Sequence, residues 1–329
     1  MEPPTIAGAQ HRHATVVRRV IPLGAGDLEI VEVGDPGAGP TLALIGGVHG
    51  DEDEGILSVR RVLRRLTAAG VHGLVRAVAV ANPAAYAAGS RCSPVDGLNL
   101  ARVFPGAAAG APTQRLARAI TDEVIAGADL LVDLHSAGRD FAMPLFCGYH
   151  HVDTAASRTA AAAAARFGVS LLWAHTAVSP GRTLSAAADL GVPAVYAEAS
   201  GGGQVRGAET DAYVDGVLRL LRWMGMAGSG DGGVSARRMI HGGREDGHGS
   251  VTAPCTGTMV TRARAGQIVS AGRAIAEIYD DRGRRRAVVV SPRDATIMKL
   301  RRAARVTAGA QVVVLAPPPV PWEPDTGRR

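Results

Sequence analysis

A chain of 329 residues with 47% hydrophobic and 20% charged side chains has the make-up of an ordinary globular protein, with room for one large domain or a main domain plus a smaller one. Cys92, Cys147 and Cys255 are far apart and odd in number, which excludes a disulfide framework and a CxxC metal spacing; no run of 18 apolar residues offers a membrane span, and the N-terminus has no apolar core of a signal peptide. The net charge of +6 is uneven, with 17 Lys+Arg against 8 Asp+Glu from Ser235 onward, but no aromatics interleave the arginines, so neither nucleic acid nor membrane is an expected partner and the cytoplasm is the expected location.

In chain order, "TLALIGG" from Thr41 is a short apolar run ending in glycines, the pattern of a buried parallel strand. "EGILSVRRVLRRLTAAG" follows with Ile56, Val59, Val62, Leu63 and Leu66 at helical spacing, closed by Gly70. "LVRAVAVANP" reads as a strand halted at Asn82-Pro83, "TQRLARAITDEVIAG" as a second amphipathic helix, and "ADLLVDLHS" as a strand ending at a histidine. An Ala-rich helix from Thr154 to Phe167, a strand "SLLWAH", a short helix "TLSAAADLG", a strand "VPAVYAEAS" and a helix "AYVDGVLRLLRWMGM" complete the series. Strands alternating with helices predict an α/β fold with a mainly parallel sheet, whose ligands gather at the carboxyl ends of the strands.

The pattern changes near Ala227. Residues 1–228 are expected to form the main domain, and the Gly/Ser-rich residues 229–239 a linker. Residues 240–317 read as a small all-β domain, with Gly266, Gly272 and Gly309 at turns, and 318–329 as a disordered tail. Arg outnumbers Lys 35 to 1 over the chain, which reads as a coding bias rather than a recognition device.

His49, His135 and Glu198 all fall at expected strand ends. Catalytic zinc takes three His or carboxylate ligands and leaves a fourth position open. His49 and Glu52, three residues apart on a turn, with His135 placed 86 residues later, make a His₂Glu set. Glu198, a lone carboxylate ending an apolar strand before a glycine run, is the candidate base. Asp51, Asp53 and Glu54 read as solvated or as partners orienting His49, and Asp133 as a partner of His135.

These residues carry a resemblance. "GGVHGDE", "DLHSAG" and "AEASGGG", with "NPAAYAAGSRCSPVDGLNLARVFPG" between the first two, look like the succinylglutamate desuccinylase/aspartoacylase family of zinc carboxypeptidase-like deacylases, in ordered blocks from Thr41 to Gly203. The resemblance implies a zinc-carboxypeptidase-like sheet flanked by helices, with a barrel-like β domain of biotinyl/lipoyl type behind it. It implies one zinc per chain on His49, Glu52 and His135, Glu198 as general base and then acid, and Arg91 polarising the scissile carbonyl. Arg102 would hold a substrate carboxylate. Where the family has Asn before that arginine, this chain has Ala101, which puts the substrate's acid end in doubt; Asn99, two residues away, is the candidate substitute.

The implied function is zinc-dependent hydrolysis of a small N-acylated amino acid or related amine. Two alternatives stay open, a zinc carboxypeptidase acting on a small peptide and a non-catalytic protein that binds an acidic partner through the basic β domain. Arg182 reads either as a surface residue or as a contact for an anionic substrate, and His175 as a core histidine or a pocket liner. His150 and His151 stay unassigned, and a homo-oligomer stays open. "TIMKL" around Lys299 is similar to a biotin attachment sequence, but Lys299 falls on a strand rather than on the hairpin a carrier lysine needs, so no carrier role is expected.

Overall fold

The computed structural model describes residues 15–323, apart from 25, 229, 231–232, 234–235 and 244–249. Parts of the expected linker and tail thus lie outside the described residues. The strands of the first two-thirds are β1 (Val16–Ile21), β2 (Leu28–Gly34), β3 (Thr41–Gly46), β4 (Leu74–Val78), β5 (Leu130–Ser136), β6 (Phe141–Ala142), β7 (Phe146–His150), β8 (Leu171–His175), β9 (Ala194–Ala199) and β10 (Arg238–His241). Between them run helices α1 (Asp53–Ala69), α2 (Pro83–Ala88), α3 (Pro112–Ile120), α4 (Ala155–Arg166), α5 (Thr183–Asp189) and α6 (Gly207–Trp223).

A ten-stranded sheet has the order β1-β2-β4-β3-β5-β9-β7-β8-β10, closed by a short β19 (Val320–Pro321). Its centre, β4-β3-β5-β9, is parallel, and antiparallel pairs flank it. Strand residues alternate between two apolar layers. Leu42, Leu44, Val132 and Leu134 face α1, α4 and α6, while Ala43, Ile45 and Leu131 face α3 and α5. Burial on both faces is what makes these strands read as continuous apolar runs. Helix α1 starts with Asp53 and Glu54 in its first turn, where carboxylates suit the helix dipole, and ends where Gly70 donates its N–H to Leu66 O.

The last third forms two small sheets that share one core. One holds β11 (Ser250–Thr252), β18 (Gln311–Ala316), β16 (Ala295–Arg301) and β13 (Ile268–Val269), and the other β15 (Arg285–Val290), β14 (Ala274–Tyr279), β12 (Gly257–Thr261) and β17 (Arg305–Val306). Gly266, Gly272 and Gly309 have φ of 79°, 79° and 83°, as turns demand.

The division expected at 239/240 meets a strand. Arg238–His241 pair in parallel with β8, and Val320–Pro321, expected in a disordered tail, pair with β10. Ile240 is fully buried in the large sheet's second layer, so the chain leaves for the β domain and returns from it along one sheet edge. The β domain is also stitched to the main sheet's loops, because β6 adds to β16. Among the described residues, no helix is long and apolar enough to cross a membrane.

Candidate active site

Three adjacent parallel strands deliver the site. His49 and Glu52 lie on the turn after β3, His135 near the end of β5, and Glu198 near the end of β9 in register with His135. Ligand atoms of His49, Glu52 and His135 all lie within 4.8 Å of one another. Glu52 sits at the hub. Its carboxylate lies 2.8 Å from His49 Nδ1 and 3.0 Å from His135 Nδ1, and it accepts from Arg91 Nη1 at 2.9 Å and from the Ser136 N–H at 3.0 Å.

The neighbours of the two imidazoles fix where their protons sit. Asn99 Oδ1 accepts the Ala101 N–H at 2.9 Å, which sets the amide's orientation, and the same oxygen lies 3.1 Å from His49 Nε2. That nitrogen must therefore donate, leaving a lone pair on His49 Nδ1. On the other side Asp133 Oδ2, which accepts from Thr183 Oγ1 at 2.5 Å, lies 2.9 Å from His135 Nε2 and takes that nitrogen's proton as a hydrogen bond. Both Nδ1 atoms thus aim at the Glu52 carboxylate, and buried His49 Nδ1 makes no aligned hydrogen bond there. Once both Nδ1 atoms are deprotonated, their lone pairs and the Glu52 carboxylate converge, an arrangement that repels unless a positive charge lies among them. The donor set fits a tetrahedral divalent cation of zinc's type, with orienting hydrogen bonds on the far nitrogens.

The electrostatics of the metal-free cluster differ between the two histidines. Burial brings the His49 imidazole down to about 4, so it is neutral and ready to ligate. Burial also works against charge on His135, yet Asp133 and then Glu52 pull it well above its ordinary value. Burial would raise the Glu52 carboxyl, but the adjacent His49 and the hydrogen bond from His135 hold it well below the usual range.

Glu198 contrasts with Glu52. Its Oε2 is buried with no hydrogen-bond partner, and burial pushes its carboxyl up to about 8. It lines a cavity of about 90 Å³ together with His49, Arg91, Arg102, His135 and Arg182. Phe146, Trp173 and Tyr196 make an aromatic wall of the same cavity. Gly148 gives the Tyr196 ring its place, since a Cβ there would sit 2.2 Å from Tyr196 Cε1.

Of the sequence-expected residues, His49, His135, Glu198, Arg91 and Arg102 line this cavity and Glu52 closes its floor against both histidines. Asn99 caps the short turn Leu100–Arg102 and lies 3.1 Å from His49 Nε2, just behind the residues that line the cavity. Arg182 lines it. His175 is buried behind the wall, with Nε2 2.6 Å from Tyr196 Oη. Asp51 accepts from the Arg139 N–H, Glu54 is buried and Asp53 is exposed. The aromatic wall escaped the sequence reading. Tyr196 carried a signal for it, because it lies two residues before Glu198 and so shares its strand face.

Residues 38–224 match the sequence profile of the succinylglutamate desuccinylase/aspartoacylase catalytic domain. The chain is 32% identical over 284 residues to an N-alpha-acetyl-L-2,4-diaminobutyric acid deacetylase of Halomonas elongata, covering 85% of this chain and 83% of that protein. It is also similar to the crystal structure of a succinylglutamate desuccinylase/aspartoacylase from Rhodobacter sphaeroides, with a TM-score of 0.80 and 27% identity over 95% of this chain and 98% of that one. The product-bound ectoine utilization protein EutE (DoeB) of Ruegeria pomeroyi gives a TM-score of 0.83 and 25% identity over 96% and 98%. With a catalytic-domain match over more than half of its length, this chain belongs to the succinylglutamate desuccinylase/aspartoacylase family.

Proposed function

We propose that this protein is a zinc-dependent amidohydrolase that deacylates a small N-acylated amino acid or related amine. The observation that carries the reading is Glu198, a half-buried carboxylate with one buried, unpartnered oxygen in the wall of a cavity whose floor is the His49/Glu52/His135 cluster. A structural carboxylate would be paired, since burying an unpartnered one is costly. The deacetylase and desuccinylase/aspartoacylase names of its relatives support the same reaction class.

Zinc held by His49, Glu52 and His135 would supply a Lewis acid for the acyl carbonyl and lower the pKa of water to about 7. The chain's own residues do the rest. Glu198 takes the proton of the attacking water and returns it to the departing amine, a dual role that suits a carboxyl raised toward neutrality. The Arg91 guanidinium, held against Glu52 at 2.9 Å, stabilises negative charge that develops on the carbonyl oxygen. Arg102 and Arg182 offer planar forks to a substrate carboxylate. The compact cavity favours a small acylated amino acid over a peptide.

The test is amine release from N-acetyl, N-succinyl and N-formyl amino acids and short peptides, with protein of measured zinc content. Turnover of an acyl amino acid that needs zinc and vanishes in Glu198→Gln is the expected result. Turnover confined to peptides would make the protein a carboxypeptidase instead, and a silent panel from protein that binds no zinc would overturn the enzyme reading.

A further inference from the structure

Lys299 is the one lysine among 329 residues, against 35 arginines. It lies on β16 of the C-terminal domain, yet it lines the catalytic cavity together with Glu198, Arg91, Arg102 and Arg182. A break in strand register brings it there. Ile297 pairs with Leu315 and Lys299 with the next residue of β18, Val314, so Met298 is an extra residue in β16, a β-bulge. In a regular strand Lys299 would share the face of Ile297, which is fully buried in the β domain's own core. The bulge reverses that alternation. Met298 packs in the catalytic domain's second apolar layer, Lys299 faces the cavity, and Leu300 returns to the β-domain core.

The landing place is built as well. Phe141, on the strand β6 that adds to β16 beside the bulge, puts its ring 4.2 Å from Lys299 Nζ. Burial, and then the nearby Arg91, bring the Lys299 ammonium down to about 8, while Glu198 and Glu52 counter the shift. Among the described residues, the cavity lining gathers Arg91, Arg102, Arg182 and Lys299 with one carboxylate, Glu198, above the floor where Arg91 meets Glu52, a lining that suits an anionic ligand.

We propose that Lys299 is a substrate-recognition residue of the catalytic site, supplied by the β domain, and that its ammonium pairs with the carboxylate of the substrate. The assignment rests on the deacylase reading for what the substrate is. It also accounts for a lysine in a chain that otherwise uses arginine. An ammonium is a compact point charge with three rotatable donors rather than a planar fork, and the Phe141 ring that meets it already carries the Arg301 guanidinium at 4.8 Å. The β domain thereby helps choose the substrate rather than merely shielding the cleft.

The single lysine makes the test direct. Carbamylation of the zinc-loaded full chain with cyanate, mapped by peptide mass spectrometry, reports on Lys299 separately from the terminal amine. N-acetyl amino acids and succinate should slow its modification, and the matching carboxamides should not. In kinetics Lys299→Met should raise KM for N-acyl amino acids about 10- to 100-fold, the range of a charged hydrogen bond, with kcat changed less than about threefold. The carboxamide substrates should be unaffected, and Lys299→Arg should fail to restore KM. Lys299 left unprotected, or equal loss on carboxylate and carboxamide substrates, overturns the assignment. A wild-type chain that turns over nothing would sink the deacylase reading by itself, and protection by succinate would still decide the role of Lys299.

Discussion

His135 and Glu198 stand side by side at paired positions of the parallel strands β5 and β9, one turned to the Glu52 hub and the other to the cavity. Paired positions on neighbouring strands project to the same face, so this register puts the imidazole proposed to hold the metal and the carboxylate proposed to carry the proton together at the carboxyl edge of the sheet. The two differ in how they are satisfied. His135 has Asp133 and Glu52 on its two nitrogens, while Glu198 keeps one buried oxygen unpartnered.

Replacing Glu198 with Gln should lower kcat by about 10²- to 10⁴-fold, the usual worth of a general acid–base, with zinc content unchanged by elemental analysis. Loss of zinc from the variant would show that Glu198 serves the metal site instead.

The same carboxyl should leave a mark on the stability of metal-free protein. Its value rises from 4.5 to about 8 on folding because burial disfavours the charge. The folded state therefore binds the proton more tightly than the unfolded state. Stability from this group is fully present below 4.5, falls as pH rises and levels off above about 8. Thermal unfolding of metal-free wild type should show that decline, and Glu198→Gln, which has no charge to acquire, should flatten it. Parallel pH profiles for the two proteins would refute the attribution.

Asp133→Asn should weaken zinc about 10- to 100-fold, as is typical when the hydrogen bond that orients a metal-bound histidine is lost. Asp133 holds His135 Nε2 and Thr183 Oγ1 together and touches no substrate-facing surface of its own. Competition with a chelator at fixed pH measures the change, and unchanged zinc affinity would rule the orienting role out.

Glu52→Gln should abolish zinc binding altogether, because both imidazoles converge on its charge. In wild type, zinc at about a thousand times its Kd should stabilise the fold by about 4 kcal/mol, seen as a rise in Tm that a chelator reverses. The variant should show no such rise.

Gly181→Ala tests how Arg102 and Arg182 come to share the cavity. Gly181 has φ of 87°, and a Cβ there would lie 2.2 Å from the Arg102 carbonyl oxygen. The close approach is tied by the Phe104 N–H donating to Gly181 O at 3.1 Å. The substitution should cost about 1–3 kcal/mol of stability and raise KM for carboxylate substrates more than it lowers kcat. A KM equal to wild type would mean that the two arginines are placed by other contacts.

Much of the fold was legible because its signals are local. "TLALIGG", "ADLLVDLHS" and "VPAVYAEAS" announce buried strands by composition, and the spacing of Val59, Val62 and Leu66 announces α1. Chemistry placed at the ends of those runs singled out His49, Glu52, His135 and Glu198 before any neighbour was known, since a polar residue closing an apolar strand is a poor choice for packing alone. The tertiary structure decided what depends on pairing between distant segments. It turned Asn99 toward His49, carried Arg182 into the cavity through the close approach at Gly181, and drew β10 and β19 into the large sheet. Above all it placed Lys299. The side-chain period of a strand is two, so one extra residue reverses which face a side chain takes, and whether that residue exists is set by the register against a partner strand rather than by the strand's own sequence.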